Sequence, residues 1–394
     1  MNRLARLNES IRTGFWAIPA IAVLVALGLA LGLVRLDRAH QRDLRYAFGA
    51  GPDGAREVLS AITTSMITFT GLVFSITIVV LQLTSSQFSP RVLRTFLRDR
   101  QTQLSLGVFV ATFVYAVMVL RTVNSSEARF VPAVATTVGM ALLLLSVGVF
   151  VAYIHHIATA IQVSSIVEAV GREAIRTLEK QIPPGRGRVP GARPALPAPA
   201  LLVPAASSGV IVSRNDTKLV RLAESADVVL VTEVAIGAFV PEGAPLFAVV
   251  GDPAKLDVAA VCRAIHLGVD RTMKQDVDFG IRQLVDIGER ALSPGINDPT
   301  TAVQALDQLH DILRRLATRS LPDGLHTDEA GTVRLIVPAH TMADFLALGL
   351  REIAQYGRDA IQVRDRLLTL LSDVTAAAVP EHRAALTTFD LELG

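Results

Sequence analysis

VLSAITTSMITFTGLVFSITIVVLQL, residues 58–83, decides how the rest of the chain is read. It carries no charged residue, and as a helix rising about 1.5 Å per residue it is long enough for a bilayer core of roughly 30 Å. Yet Ser60, Thr63, Thr64, Ser65, Thr68, Thr70, Ser75 and Thr77 all lie within it. A helix that only anchors a protein in lipid has no need of so many hydroxyls. One that packs closely against copies of itself, or that lines a wet path, does.

The hydroxyls fall into two rows. Thr63, Thr70 and Thr77 recur every seven residues, close to two helical turns, and form a nearly straight line. Ser60, Thr64, Thr68 and Ser75, with Gly71, follow an adjoining line by steps of three and four. Small hydroxylated residues serve close helix packing and pore lining alike, so the two readings stay open at this point.

Three further apolar segments, at about 14–34, 104–120 and 131–154, meet the length expected of a spanning helix. The apolar stretch of the first is too long for a cleaved signal. Mean hydropathy is +0.45 and 19% of residues are charged, against about a quarter in soluble proteins. The net charge of +2 gives no electrostatic case for nucleic acid. Cys262 is the single cysteine, so an internal disulfide and a cysteine metal cluster are both excluded.

Orientation follows the Lys/Arg bias near helix ends. Arg91, Arg94, Arg98 and Arg100 follow the second segment, whereas only Arg121 and Arg129 follow the third. Four spans with a basic second loop place both termini in the cytoplasm. The five arginines of the first loop run against this assignment, although four acids accompany them. No Asp, Glu, Lys or Arg lies in the apolar cores, and His155 and His156 sit at the inner end of the fourth. That argues against an ion-coupled carrier, which needs a buried titratable group.

Beyond residue 154 the stripe Ile157, Ile161, Ile166, Val170 and Ile175 predicts that the fourth helix continues inward until Pro183. A Pro-, Gly- and Ala-rich linker follows. Alternating β-branched runs at 210–212, 228–231 and 247–250 predict a small β-barrel or sandwich, with a short helix over 217–226. GAFVPEGAPLFAV, residues 237–249, is similar to the tight reversals of biotinyl/lipoyl-like barrels. Lys218 and Lys274 lack the exposed hairpin setting of a carrier lysine, so the module reads as structural and no cofactor is expected. Helical spacing dominates from residue 254 onward, with helices expected over 256–266, 281–291, 300–317, 341–356 and 361–376. Between two of them, Ser293-Pro-Gly-Ile-Asn-Asp-Pro299 reads as a turn in which Gly295 takes positive φ and Asp298 caps the next helix.

TTSMITFTGLVFSITIVVLQLTSSQFSPR (63–91) and ALSPGINDPTTA (291–302) resemble a bacterial family of predicted membrane proteins, the domain-of-unknown-function 2254 family. The likeness extends over nearly the whole chain. It implies a multi-pass membrane protein with a cytoplasmic tail and carries over no activity.

The expected architecture is an α-helical membrane protein with about four transmembrane helices (1–156). A helical extension (157–182), a linker (183–205), a small β-rich module (206–253) and a helical cytoplasmic domain (254–394) follow. The expected location is the bacterial inner membrane, in contact with the lipid bilayer. The expected function is passive ion conduction by a homo-oligomer, with the tail as gate or vestibule. Thr63, Thr70 and Thr77, with Ser60, Thr64, Thr68 and Ser75, are the pore-lining candidates. Arg91, Arg94 and Arg98 form a basic inner mouth. The alternative is a membrane-anchored scaffold or sensor whose tail binds a partner or small ligand, and Ser293, Asn297 and Asp298 are the candidate ligand turn. No HExxH, P-loop or GxSxG motif is present, so no enzyme is expected. Asp307, His310 and Asp311 share a helix face at metal-ligand spacing, but the expectation is a solvated face with no metal.

Overall fold

The computed structural model describes residues 16–39, 51–87, 99–123, 131–160, 162–184 and 194–391, and the side chains of 83–87 and 160 are not described. The chain divides into two units, residues 1–162 and 163–394.

The first unit holds four helices long and apolar enough to cross a membrane: α1 (Ala17–Ala39), α2 (Pro52–Gln87), α3 (Arg100–Leu120) and α4 (Ala133–Ala160). Polar contacts fix their directions. Asp37 near the end of α1 reaches the start of α4. Arg56 near the start of α2 reaches the Val123 carbonyl after α3. Asp99 before α3 reaches His156 near the end of α4. The helices therefore run alternately up and down. Helix α3 is central: half of its most apolar stretch is buried within the unit, against 17–22% for the other three. Gly107 of α3 lets Pro19 and Ala22 of α1 approach to 3.5 Å of the position a Cβ would take. Leu59, Ile62, Met66, Val73 and Val80 of α2 pack inward with Phe109, Tyr115 and Val119 of α3. At mid-height Phe69 and Phe150 stack at 4.7 Å between ring centroids, with Phe109 edge-on to both.

The second unit starts with α5 (Val163–Gln181). The fourth helix was expected to run through this region, but it stops at Ala160 and the chain starts a new helix at Val163. The buried stripe of α5 is Ile166, Val167, Val170, Ala174 and Leu178. It packs against α8 (Val277–Ala291) and α9 (Pro299–Ala317). Glycines set these close approaches. A Cβ at Gly280 of α8 would fall 2.5 Å from that of Ala174, and one at Gly171 of α5 would collide with Gln308 of α9. Helices α10 (Met342–Tyr356), α11 (Ile361–Ala377) and α12 (Pro380–Thr388) complete the layer.

The β elements are β1 (Leu201–Pro204), β2 (Gly209–Arg214), β3 (Val229–Val231), β4 (Phe239–Val240), β5 (Pro245–Val250), β6 (Ile265–Gly268), β7 (Leu325–Thr327) and β8 (Val333–Ile336). They form two open sheets, ordered β1-β5-β3-β8-β7 and β4-β2-β6, so the strands do not close into a barrel. Three details differ from the sequence reading. Residues 201–204, at the end of the expected linker, pair antiparallel with β5. The helix expected over 256–266 is only α7 (Val258–Cys262), and the chain then enters β6. Strand β8 comes from the segment expected to be helical and joins β3 in parallel, Leu230 facing Leu335. Helix α6 (Asp216–Ala226) covers this sheet with Leu219, Ala223 and Ala226.

Candidate functional site

The two hydroxyl rows of α2 have different surroundings. Thr63, Thr70 and Thr77 are half-buried and flank the inward residues Ile62, Met66 and Val73. Each donates to the carbonyl four residues earlier, Leu59, Met66 and Val73 respectively, at 2.7–2.8 Å. Thr77 Oγ1 also lies 3.0 Å from the Tyr153 hydroxyl of α4. These bonds satisfy the hydroxyls within the unit, as an apolar setting requires.

Ser60, Thr64, Thr68 and Ser75 are exposed, and a Cβ on Gly71 would meet nothing within 4 Å. Thr68 donates to the Thr64 carbonyl at 3.0 Å. This strip lies among exposed Ile67, Leu72, Phe74, Ile78 and Val79. The three-, four- and seven-residue spacings place the two rows on adjoining strips of α2. Which row the other helices cover is set by the contacts of α3 and α4, not by the spacing. Arg91, Arg94 and Arg98 lie outside the described residues.

At each end of the bundle a carboxylate, Asp37 or Asp99, is paired with a partner distant in sequence. The first span was expected to end at Val34, but α1 runs on to Ala39 and buries Asp37 to 2% exposure. Its two carboxylate oxygens accept from the amides of Val134 and Ala135, at 3.0 and 2.9 Å. These are two of the four amides that the first turn of a helix leaves without partners, so α1 caps α4 across the bundle. At the other end, Asp99 caps α3 through the amides of Gln101 and Thr102 and takes His156 Nε2 at 2.8 Å. Burial works to raise the Asp99 pKa, but the bonds from Thr102 and His156 outweigh it and hold the carboxyl below its ordinary value.

In the second unit the turn after α8 is closed by its own backbone, with the amides of Ile296 and Asn297 on the Ser293 carbonyl. Ser293 donates to the Arg290 carbonyl, and Asp298 accepts from the amide and hydroxyl of Thr301. The left-handed residue is Asn297 (φ 48°), and Gly295 does not adopt positive φ. Asparagine tolerates that region through its short polar side chain. The Asp298 carboxylate already occupies the Thr301 amide in the first turn of α9 and places its own negative charge there, which disfavours an external anion.

The face of Asp307, His310 and Asp311 is committed to ion pairs. Asp307 accepts from Arg366, Asp311 from Arg315, and His310 sits between Asp373 (2.7 Å) and Arg366 (2.8 Å). Arginine only donates, so His310 Nδ1 accepts and its Nε2–H donates to Asp373. Among the described residues no group of three His, Cys, Asp or Glu is placed to hold a metal.

A second cluster pairs α8 with α10. Arg282 donates to Asp286 at 2.8 Å and to both oxygens of Glu352 at 2.6 and 2.5 Å, and lies 3.4 Å from Glu289. Arg282, Asp286 and Glu289 are spaced by four and three on one helix, which the sequence displays. Glu352 arrives from 70 residues away, and no local signal announces it.

Two relatives from mycobacteria align along almost the whole chain. "Uncharacterized protein Rv1290c" of Mycobacterium tuberculosis is 33% identical over 401 residues, covering 98% of this chain and 77% of its own length. "Uncharacterized protein Mb1321c" of Mycobacterium bovis matches to the same extent. No solved structure matches the chain. The model of the family described as "Predicted membrane protein (DUF2254)" matches residues 12–373, and the chain belongs to that family.

Proposed function

We propose that this protein is a homo-oligomeric, passive ion channel of the bacterial inner membrane, with both termini in the cytoplasm and the second unit as gate or vestibule. The observation that carries the reading is the exposed strip Ser60–Thr64–Thr68–Gly71–Ser75, which is polar and uncharged on a helix otherwise suited to lipid. Copies of α2 around an axis would turn that strip inward and give a neutral polar lining. Thr63, Thr70 and Thr77 then serve packing within each copy, and Arg91, Arg94 and Arg98 remain the basic inner mouth.

The test is ion flux through purified protein in liposomes, with anion and cation gradients set separately. Replacing Thr68 and Ser75 by Leu is expected to abolish or re-select flux, while Thr70→Val leaves it intact. The reading fails if the first pair of changes has no effect on a measurable flux.

The second reading is a membrane-anchored scaffold or sensor, favoured by the separate core of the 163–394 unit. It expects no flux in any gradient, and full activity from that unit when unrelated spans tether it.

A further inference from the structure

The contacts among α5, α8, α9, α10 and α11 fix which helix ends lie together. Ala174 of α5 meets Gly280 of α8, and Thr177 bonds to the Met273 carbonyl just before α8, so these two helices are antiparallel. Gly171 and Glu179 of α5 meet Gln308 and Arg315 of α9, which makes that pair parallel. Gly349 and Ile353 of α10 meet Ile281 and Gly288 of α8, so α10 runs with α8. Arg366 and Asp373 of α11 bond to Asp307 and Arg314 of α9, so α11 runs with α9. One end of the layer therefore collects the start of α5 at Val163, the turn from α8 to α9, and the turn from α10 to α11.

That end is apolar at its surface. Ile296 in the first turn is 46% exposed, and Tyr356 and Ile361, on either side of the second, are 56% and 77% exposed. Leu368, two turns along α11 from Ile361, extends the same face. Among the described residues of these helices and their turns, the opposite end exposes no large apolar side chain. Both turns are held in place. The amides of Ile296 and Asn297 on the Ser293 carbonyl close the first. In the second, a Cβ on Gly357 would lie 2.5 Å from Val363 Cγ1. A single exposed isoleucine is ordinary, but a rim of three large apolar side chains on fixed turns marks a contact surface.

The chain itself brings lipid to this end. The apolar span Ala133–Thr159 of α4 has 27 residues, about 40 Å of helix against a bilayer core of roughly 30 Å, so its end reaches the headgroups. Val163 follows Ala160 by three residues, a reach of at most about 11 Å. The start of α5 is thereby tethered close to the lipid surface.

We propose that the rim of Ile296, Tyr356 and Ile361 seats in the lipid interface at the α4 end of the bundle, so that the bilayer covers these side chains. Tyrosine suits such a place, with its ring among the acyl chains and its hydroxyl at the headgroups. Exposed Arg358 and Arg364 flank Ile361 together with exposed Asp359 and Asp365, so the charges cancel and the attraction is apolar. The inference needs only that α4 spans a membrane. It does not rest on ion conduction and holds equally for an anchored scaffold.

The test is tryptophan fluorescence of the full chain reconstituted in liposomes whose lipids carry bromine on their acyl chains. Trp16→Phe removes the single native tryptophan. In that background Ile296→Trp and Ile361→Trp each place a probe on the rim, on separate turns. Val269→Trp is the control. That residue is 92% exposed, two positions before the Arg271 that pairs with the α8 cap Asp276, and so lies at the opposite end of α8, about 20 Å away. Both rim probes are expected to emit to the blue and to be quenched, most strongly by bromine about 5–10 Å below the headgroups. Quenching should be the same in neutral and in anionic liposomes, and the control should emit as in water, unquenched. Water-like emission from either rim probe overturns the proposal. So does blue emission without lipid quenching, which would put protein over the rim. Equal quenching of Val269→Trp overturns it as well, because the contact would then not single out this end.

Discussion

Replacing Asp37 by Ala removes a cap supplied by one helix to another. Two amides, Val134 and Ala135, lose acceptors at 3.0 and 2.9 Å. Ala135 is fully buried and Val134 partly so, and water cannot readily take the vacated place of a side chain that is only 2% exposed. A buried donor left without a partner costs about 1–3 kcal/mol, so two donors, one of them partly exposed, set the loss at about 2–4 kcal/mol. Asp37→Asn retains one acceptor oxygen and should lose about half of that. The assay is reversible unfolding of the detergent-solubilised chain, with amide exchange at the first turn of α4 as the local readout. Asp37→Ala is expected to lower stability by the stated amount and to expose the α4 turn to exchange by about a hundredfold, the factor corresponding to some 3 kcal/mol. An Ala variant within about 0.5 kcal/mol of the wild type would refute the cross-helix cap.

Two further outcomes follow from the packing. Thr77→Val and Tyr153→Phe, alone and together, should show a coupling of about 0.6–1 kcal/mol, because the shared hydrogen bond is modest inside a membrane bundle; zero coupling removes the bond from the account. Gly280→Val should cost about 1–3 kcal/mol by driving a side chain into Ala174, with proteolysis of residues 163–181 accelerated; unchanged proteolysis would show that α5 tolerates displacement from α8.

The helices were legible because their signals are local. Apolar length marked the four spans, and Asp298-Pro299 and Thr341 marked the starts of α9 and α10 to within a residue. The Pro241-Glu242-Gly243 turn was equally plain, since only glycine takes φ 80° there cheaply. What stayed hidden depends on distant partners. Strands β1, β7 and β8 have three or four residues each, too few to establish a period, and are fixed by pairing. A signal for the last two was present in Gly331, whose φ of 83° lies between them. Asp37 looked like a loop residue because its role is given by α4. The α2 rows were found, but which one faces outward depends on neighbours the local pattern does not contain.

The parallel union of β3 with β8 joins Leu230 to Leu335 across more than a hundred residues of intervening chain. During synthesis β3 therefore waits, with β5 on one side and an open edge on the other, until the hairpin at 325–336 has left the ribosome. Contacts so far apart in sequence form late and slowly. A fragment cut after β5 would keep that edge bare and invite pairing with a neighbour. The sheet and the late helices thus stand or fall as one folding unit, and dissection of this protein should cut before Val163 rather than anywhere between β3 and β8.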